Sequence, residues 1–146
     1  LFFLCATLGF SQFSLGLSLG QPSGVTTRYC FSETMALDIG ISYSFFWVHR
    51  GYYIHTDIVQ IFPRLFQFGK TNIPLYAGVG VGYLGIQGFQ DFGHYLLSIR
   101  IPFGVFHRFP FNQTYIEGFL ELAPTVNLLP IQSFTMAFRI GARYQF

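Results

Sequence analysis

His55 and Asp57 stand two residues apart, a pairing whose chemistry could be either hydrolytic or metal-binding. A histidine oriented by a carboxylate is the base half of a nucleophilic hydrolase, and the same two side chains can begin a metal site. Either reading needs a third member, and no serine, second histidine or cysteine falls at a spacing that would supply it. Glu117 and Glu121 raise a second possibility, the paired carboxylates of a glycoside hydrolase. In an extended chain, positions i and i+4 lie about 13 Å apart, beyond the roughly 5–9.5 Å which that chemistry uses. Gly78-x-Gly80-x-Gly82 is no phosphate loop, because alternate glycines within a strand leave space on one face rather than cradle an anion. No catalytic, cofactor-binding or metal-ligating residue is expected, and the protein is read as a non-enzyme. The alternative for these groups, together with Arg28, Asp38, Arg100, Arg139 and Arg143, is a packed and hydrogen-bonded interior.

Which side of the chain these residues occupy depends on the elements that carry them. The last nine residues, FRIGARYQF, put Arg139, Gly141, Arg143 and Gln145 on one face of a strand. Phe138, Ile140, Ala142, Tyr144 and Phe146 share the other, since strand side chains alternate with period 2. Reading for that period gives eight segments, at 13–21, 24–31, 34–46, 51–62, 73–84, 94–107, 114–127 and 134–146. Turn-like stretches separate them, among them PRLFQFGKTN, RFPFNQ and LLPIQS. In the third segment Leu37, Ile39 and Ile41 oppose Asp38, Gly40 and Ser42. In the seventh, Leu120 and Leu122 oppose Glu117, Phe119 and Glu121. Tyr76, Gly78, Gly80 and Gly82 share a face in the fifth.

Composition decides which face meets solvent. Only 10% of residues are charged, against roughly 25% in an ordinary soluble domain. Twenty Phe and nine Tyr make the chain strongly aromatic. Arg28, Asp38, Asp57, Arg100, Glu117, Glu121, Arg139 and Arg143 all lie on the small or polar faces, and no charge lies on an apolar one. A soluble barrel would turn these charges outward, and eight are too few to clothe it. A helical membrane protein needs about 20 apolar residues in a row. The charge-free stretch at 71–90 is long enough but carries five glycines and a proline. A bilayer otherwise admits only closed barrels. The expected fold is therefore an all-β, eight-stranded antiparallel up-and-down transmembrane β-barrel with its charges inside. Aromatic residues near strand ends, including Phe45, Trp47, Tyr52, Tyr83 and Phe109, fit interfacial girdles.

Turn positions then suggest partners. A hairpin centred on Pro130 sets Glu121 opposite Arg139 and Glu117 opposite Arg143. One centred on Glu33 sets Arg28 opposite Asp38, and one centred on Pro110 and Phe111 sets Arg100 opposite Glu121. The expected lumen network is thus Arg28, Asp38, His55, Asp57, Arg100, Glu117, Glu121, Arg139 and Arg143, with an Arg100–Glu121–Arg139 ladder at its centre. Pairing avoids the several kcal/mol that an isolated buried charge costs.

Residues 1–11 resemble the end of a signal peptide, with Gly9 and Ser11 as the small residues before a cleavage at Gln12. Cys5 as a lipid-attachment residue is disfavoured by the bulky Leu4 before it. The barrel domain would then span 12–146 and retain Cys30 as a packing residue. Net charge is +2 with no basic run, which excludes a nucleic-acid partner.

The blocks GLSLGQPSG, ALDIGISYSF, PLYAGVGVGY, RIPFGV, FLELAPTVNLLP and RIGARYQF resemble those of a family of small spirochaetal outer-membrane proteins. The likeness covers about residues 16–146. That family is similar to the eight-stranded transmembrane domain of OmpA and has no settled biochemical activity. Arg139-x-Gly141-x-x-Tyr144-x-Phe146 also resembles the signal by which the outer-membrane assembly machinery selects its clients. The resemblance implies fold and an outer-membrane location, and carries no catalytic residue or cofactor. The expected partners are outer-membrane lipid, the assembly machinery, and host or envelope components at surface-exposed outer loops (20–24, 46–51, 85–93 and 128–133). The chain is expected to be a monomer with a structural or surface-binding role. The alternatives are a narrow porin-like channel or small-hydrophobe conduit and, last, a lipid-modifying enzyme.

Overall fold

The computed structural model describes residues 12–45, 51–69, 71–86, 95–129 and 132–146. The residual signal peptide expected at 1–11, and residues 46–50, 87–93 and 130–131 of the outward loops expected at 46–51, 85–93 and 128–133, lie outside the described residues. What is described is strand and turn: β1 Gln12–Gln21, β2 Ser23–Cys30, β3 Met35–Ser44, β4 Gly51–Phe68, β5 Thr71–Ile86, β6 Tyr95–Arg100, β7 Phe103–Phe111, β8 Thr114–Leu129 and β9 Ser133–Gln145. Each strand pairs antiparallel with the next except β6 and β7, which both pair with β5 and β8, and β9 returns to pair with β1 from Ser14–Gln145 to Gln21–Phe138. The ladders therefore run in a ring and the sheet closes on itself.

β6 and β7 are two halves of one crossing. The break falls at Ile101 and Pro102, because Pro102 has no N–H to give to a ladder. Two backbone bonds bridge the interruption, from Gly78 N to the Pro102 carbonyl at 2.8 Å and from Ile101 N to the Pro124 carbonyl at 2.9 Å. With the halves counted together, the barrel has eight crossings, the number expected from the alternation.

Two turns differ from the sequence reading. The turn expected at Pro110 and Phe111 lies at Asn112 and Gln113, and β7 runs on to Phe111 opposite Thr114. A two-residue hairpin favours left-handed backbone, which Asn112 adopts at φ 54° and which proline's fixed φ forbids. The stretch PRLFQFGKTN is mostly strand rather than turn. β4 continues to Phe68, with its register to β5 slipping between Phe62 and Phe66. The chain reverses between Phe68 and Thr71, which pair across the hairpin, with Gly69 at φ 60°.

The two faces separate as the alternation requires. Leu17 and Leu19 of β1 are 67% and 68% exposed, and Val79 and Val81 of β5 are each 57% exposed. Ile41, Ile54, Ile99, Leu120 and Ile140 continue this apolar exterior around the barrel. Inside lie Arg28, Asp38, His55, Asp57, Arg100, Glu117, Glu121, Arg139 and Arg143, all essentially without solvent contact. Such an exterior is far larger than the few hundred Å² of contiguous apolar patch that soluble monomers expose.

Candidate functional site: the charged lumen

Two clusters of ionisable side chains occupy the middle of the barrel. In the first, Arg28 meets Asp38 directly across β2 and β3. It donates from both Nε and Nη2, at 2.7 Å each, to the two carboxylate oxygens. This parallel fork is the strongest geometry a guanidinium and a carboxylate can form. Glu117 faces Arg143 across β8 and β9 and accepts from its Nη1 at 3.1 Å. Across the lumen Glu117 also accepts from Arg28 Nη1 at 3.3 Å. Arg143 in turn lies 3.5 Å from Asp38, so the four groups form a closed circuit. The Phe119 ring lies 4.0 Å from the Arg143 guanidinium carbon and covers its face.

The second cluster centres on Glu121, which accepts from Arg100 Nη2 at 2.7 Å and from Arg139 Nε at 3.0 Å, with a further contact to Arg139 Nη2. The Tyr76 hydroxyl donates to its second oxygen at 2.8 Å. Arg100 also lies 3.1 Å from Asp57 through Nε, though the angle is too poor for a hydrogen bond and both Asp57 oxygens lack a donor. The Glu121–Arg139 pairing follows the register expected from a turn at Pro130. The Arg100–Glu121 contact forms for another reason than the expected one. With the turn at Asn112, Arg100 faces Thr125 and Glu121 faces Gly104. The two side chains meet by reaching toward each other along the lumen.

His55 and Asp57 are both interior, but their geometry is not that of a catalytic pair. His55 Nε2 is 3.8 Å from Asp57 and 2.9 Å from Arg139 Nη1. A guanidinium can only donate, so Nε2 is an acceptor held by Arg139 and is not free to take a proton from a substrate. Among the described residues no group of three His, Cys, Asp or Glu side chains is arranged to hold a metal ion. Asp38 lies directly opposite Asp57, and both carboxylates are engaged by arginines.

Small residues make room for these groups. A Cβ placed at Gly40 would collide with the His55 ring, one at Gly80 with the Asp57 carboxylate, and one at Gly82 with the Tyr53 hydroxyl. Gly80 and Gly82 of β5 therefore yield space to Asp57 and Tyr53. Three participants escaped the sequence reading. Tyr76 links the clusters, since its ring lies 4.4 Å from the Arg28 guanidinium carbon while its hydroxyl serves Glu121. Its place beside Gly78, Gly80 and Gly82 on the polar face was the available signal. Arg108, assigned to a turn, lies in β7 opposite Glu117 and contacts its Oε2 at 3.4 Å. Thr26 accepts from Arg143 Nη2 at 3.2 Å.

The expected assembly signal is divided by the pleat. Arg139 and Gly141 face the lumen, while Tyr144 and Phe146 face outward with ring centroids 5.0 Å apart. Cys30 is a buried free thiol.

Closed barrel, apolar skin and charge-paired lumen together define the class of fold: an eight-crossing up-and-down barrel turned inside out relative to a soluble one. The fold matches the N-terminal β-barrel domain of OprF from Pseudomonas aeruginosa, with a TM-score of 0.64, 13% identity, and coverage of 94% of this chain and 98% of that one. Two structures of the Yersinia pestis outer-membrane protein Ail also align. One, in a phospholipid nanodisc, gives a TM-score of 0.48 at 17% identity over 93% of this chain and 98% of that one. The other, a crystal structure, gives 0.46 at 18% identity over 93% and 97%. No known family profile matches the sequence, and no curated protein is similar to it.

Proposed function

We propose that this chain is an integral outer-membrane β-barrel protein, and that its barrel is a scaffold holding its outer loops at the cell surface for a structural or binding role. One observation carries the reading. The outward residues of the crossings are predominantly apolar and, away from the strand ends, uncharged, while the eight charges on the polar faces are interior and paired. A lipid-facing Arg or Lys costs about 2–4 kcal/mol at mid-bilayer, so a chain exposed to acyl chains would be purged of outward charge in this way. The OprF domain supports the fold half of this proposal. Tyr144 and Phe146, on the outer surface of β9, are the part of the assembly signal that the assembly machinery would touch. Outer-membrane lipid is the other expected partner, and host or envelope components would meet the outer loops.

A lumen filled by ion pairs supports a scaffold over an open pore, because an eight-stranded interior is only just wide enough for its side chains. Planar-bilayer recording tests this directly: we expect no steady single-channel openings, and sustained conductance would refute the filled-lumen reading. One feature favours a small-hydrophobe site as the second reading. A cavity of about 350 Å³, lined by Tyr53, Leu84 and Leu96 among others, opens at the mouth near Pro22 and Asn127. Quenching of a fluorescent fatty-acid analogue by the refolded barrel would support that role, and its abolition by Leu96→Glu would locate the site.

A further inference from the structure

The opposite mouth of the barrel, where β1 begins and β7 turns into β8, is built differently. β3 starts at Met35 opposite Gln60, so β4 beyond Ile61 has no partner on that side. On the other flank, β5 pairs with β7 only from Leu75–Val105 to Ala77–Phe103. Pro74 comes next and supplies no N–H to extend that ladder. The β4–β5 and β7–β8 hairpins therefore share no ladder beyond Leu75–Val105, which leaves a gap in the backbone hydrogen bonding of the wall between them. The gap leads into a vestibule of about 590 Å³ lined by Gln12, Ser32, Glu33, Asn72, His107 and Arg108 together with neighbouring apolar groups.

The charges at its inner end do not balance. Arg28, Arg143 and Arg108 converge on Asp38 and Glu117, three guanidiniums against two carboxylates. Glu117 already accepts from Arg28 and Arg143 through Oε1. Arg108 makes one long contact to the remaining oxygen, at 3.4 Å through Nε, and its side chain is 36% exposed. Its Nη1 and Nη2 groups make no hydrogen bond to any described residue. Asn72 and Gln12 add amide donors to the lining. The Ser32 hydroxyl accepts from the backbone N–H of Thr34 and Met35, at 3.3 and 2.9 Å, which leaves its own proton free to donate. Glu33 is the carboxylate among the lining residues, and it sits on the exposed turn between β2 and β3.

We propose that this vestibule binds a phosphate-type oxyanion against Arg108, supplied either by a phospholipid headgroup entering at this gap or by a free phosphate. The excess guanidinium supplies the charge, the fork geometry of Arg108 suits two oxygens of one anion, and the amide and hydroxyl donors complete the shell. A lipid would keep its acyl chains on the apolar exterior while its headgroup reached inward between the hairpins.

The test uses the refolded barrel in a phosphate-free non-ionic detergent, titrated calorimetrically with inorganic phosphate and, separately, with dihexanoyl phosphatidylglycerol below its micellar concentration. Saturable one-to-one binding in the millimolar range or tighter is expected for at least one of them. Saturation by the lipid alone assigns the headgroup as source, and saturation by inorganic phosphate assigns the soluble anion. Arg108→Gln should weaken binding by about tenfold or more, as loss of a charge-assisted pair requires. Glu33→Gln should strengthen it by removing the nearby negative charge. Absence of saturable binding by either probe overturns the proposal. So does an affinity left unchanged by both substitutions. If Arg108→Gln fails to fold, an unchanged affinity in Glu33→Gln is sufficient to reject the site.

Discussion

Replacing Glu121 by Gln keeps the shape of the second cluster and removes its central charge. Arg139 then keeps only neutral acceptors, His55 Nε2 at 2.9 Å and the new amide oxygen, while Arg100 keeps Asp57 at 3.1 Å. One buried guanidinium is thus left with no anion, and removing one member of a buried pair costs about 3–5 kcal/mol. That corresponds to a fall of roughly a hundredfold to a few thousandfold in the folded-to-unfolded ratio at 25 °C. Glu117→Gln should cost less. Arg28 keeps its fork on Asp38, Arg143 keeps Asp38 at 3.5 Å, and Arg108 can turn to solvent. The double substitution Glu121→Gln with Arg139→Gln restores balance and should recover about 1–3 kcal/mol of the sum of the single losses. Urea titration of barrels folded into phospholipid vesicles, read by the band shift between unheated and heated samples on gels, measures all three. A Glu121→Gln loss under about 1 kcal/mol, or strict additivity in the double variant, would refute the argument that the pair stabilises by sparing an isolated buried charge.

Other consequences follow from the same architecture. Val81→Arg, on the outer face of β5, should cost about 2–4 kcal/mol in vesicles, whereas Tyr95→Arg near a strand end should cost about 0–1 kcal/mol. Equal costs at the two depths would argue against a lipid-facing exterior. Gly80→Ala drives a methyl group into the Asp57 carboxylate and the backbone of β4, and overpacking of this kind costs about 1–3 kcal/mol, measurable in the same titration. The folded chain should sediment when detergent is withdrawn, and a monodisperse protein in plain buffer would contradict the reading of its surface. The Cys30 thiol, 6% exposed, should react with a maleimide only slowly until the barrel is unfolded.

Period-2 alternation was enough to place the inward and outward residues of each crossing, because the pleat assigns faces without reference to any distant part of the chain. It therefore set Arg139 and Arg143 inside and Phe138 and Ile140 outside. Pairing across one hairpin was also legible where the turn was identified correctly, as for Arg28 with Asp38 and Glu121 with Arg139. It failed where Pro110 was taken as the turn centre, since a shift of two residues along each strand moves every partner by four. The contacts of Arg28 with Glu117 and of Arg139 with His55 join strands that are not neighbours in the ring. They exist only because the sheet closes and brings opposite walls within a side chain's reach. Likewise, the gap in the ladders beyond Leu75–Val105 depends on where β3 begins and where the β5–β7 pairing ends. Local alternation determined which residues are inside, whereas closure and strand stagger, being properties of the whole sheet, decided which of them touch.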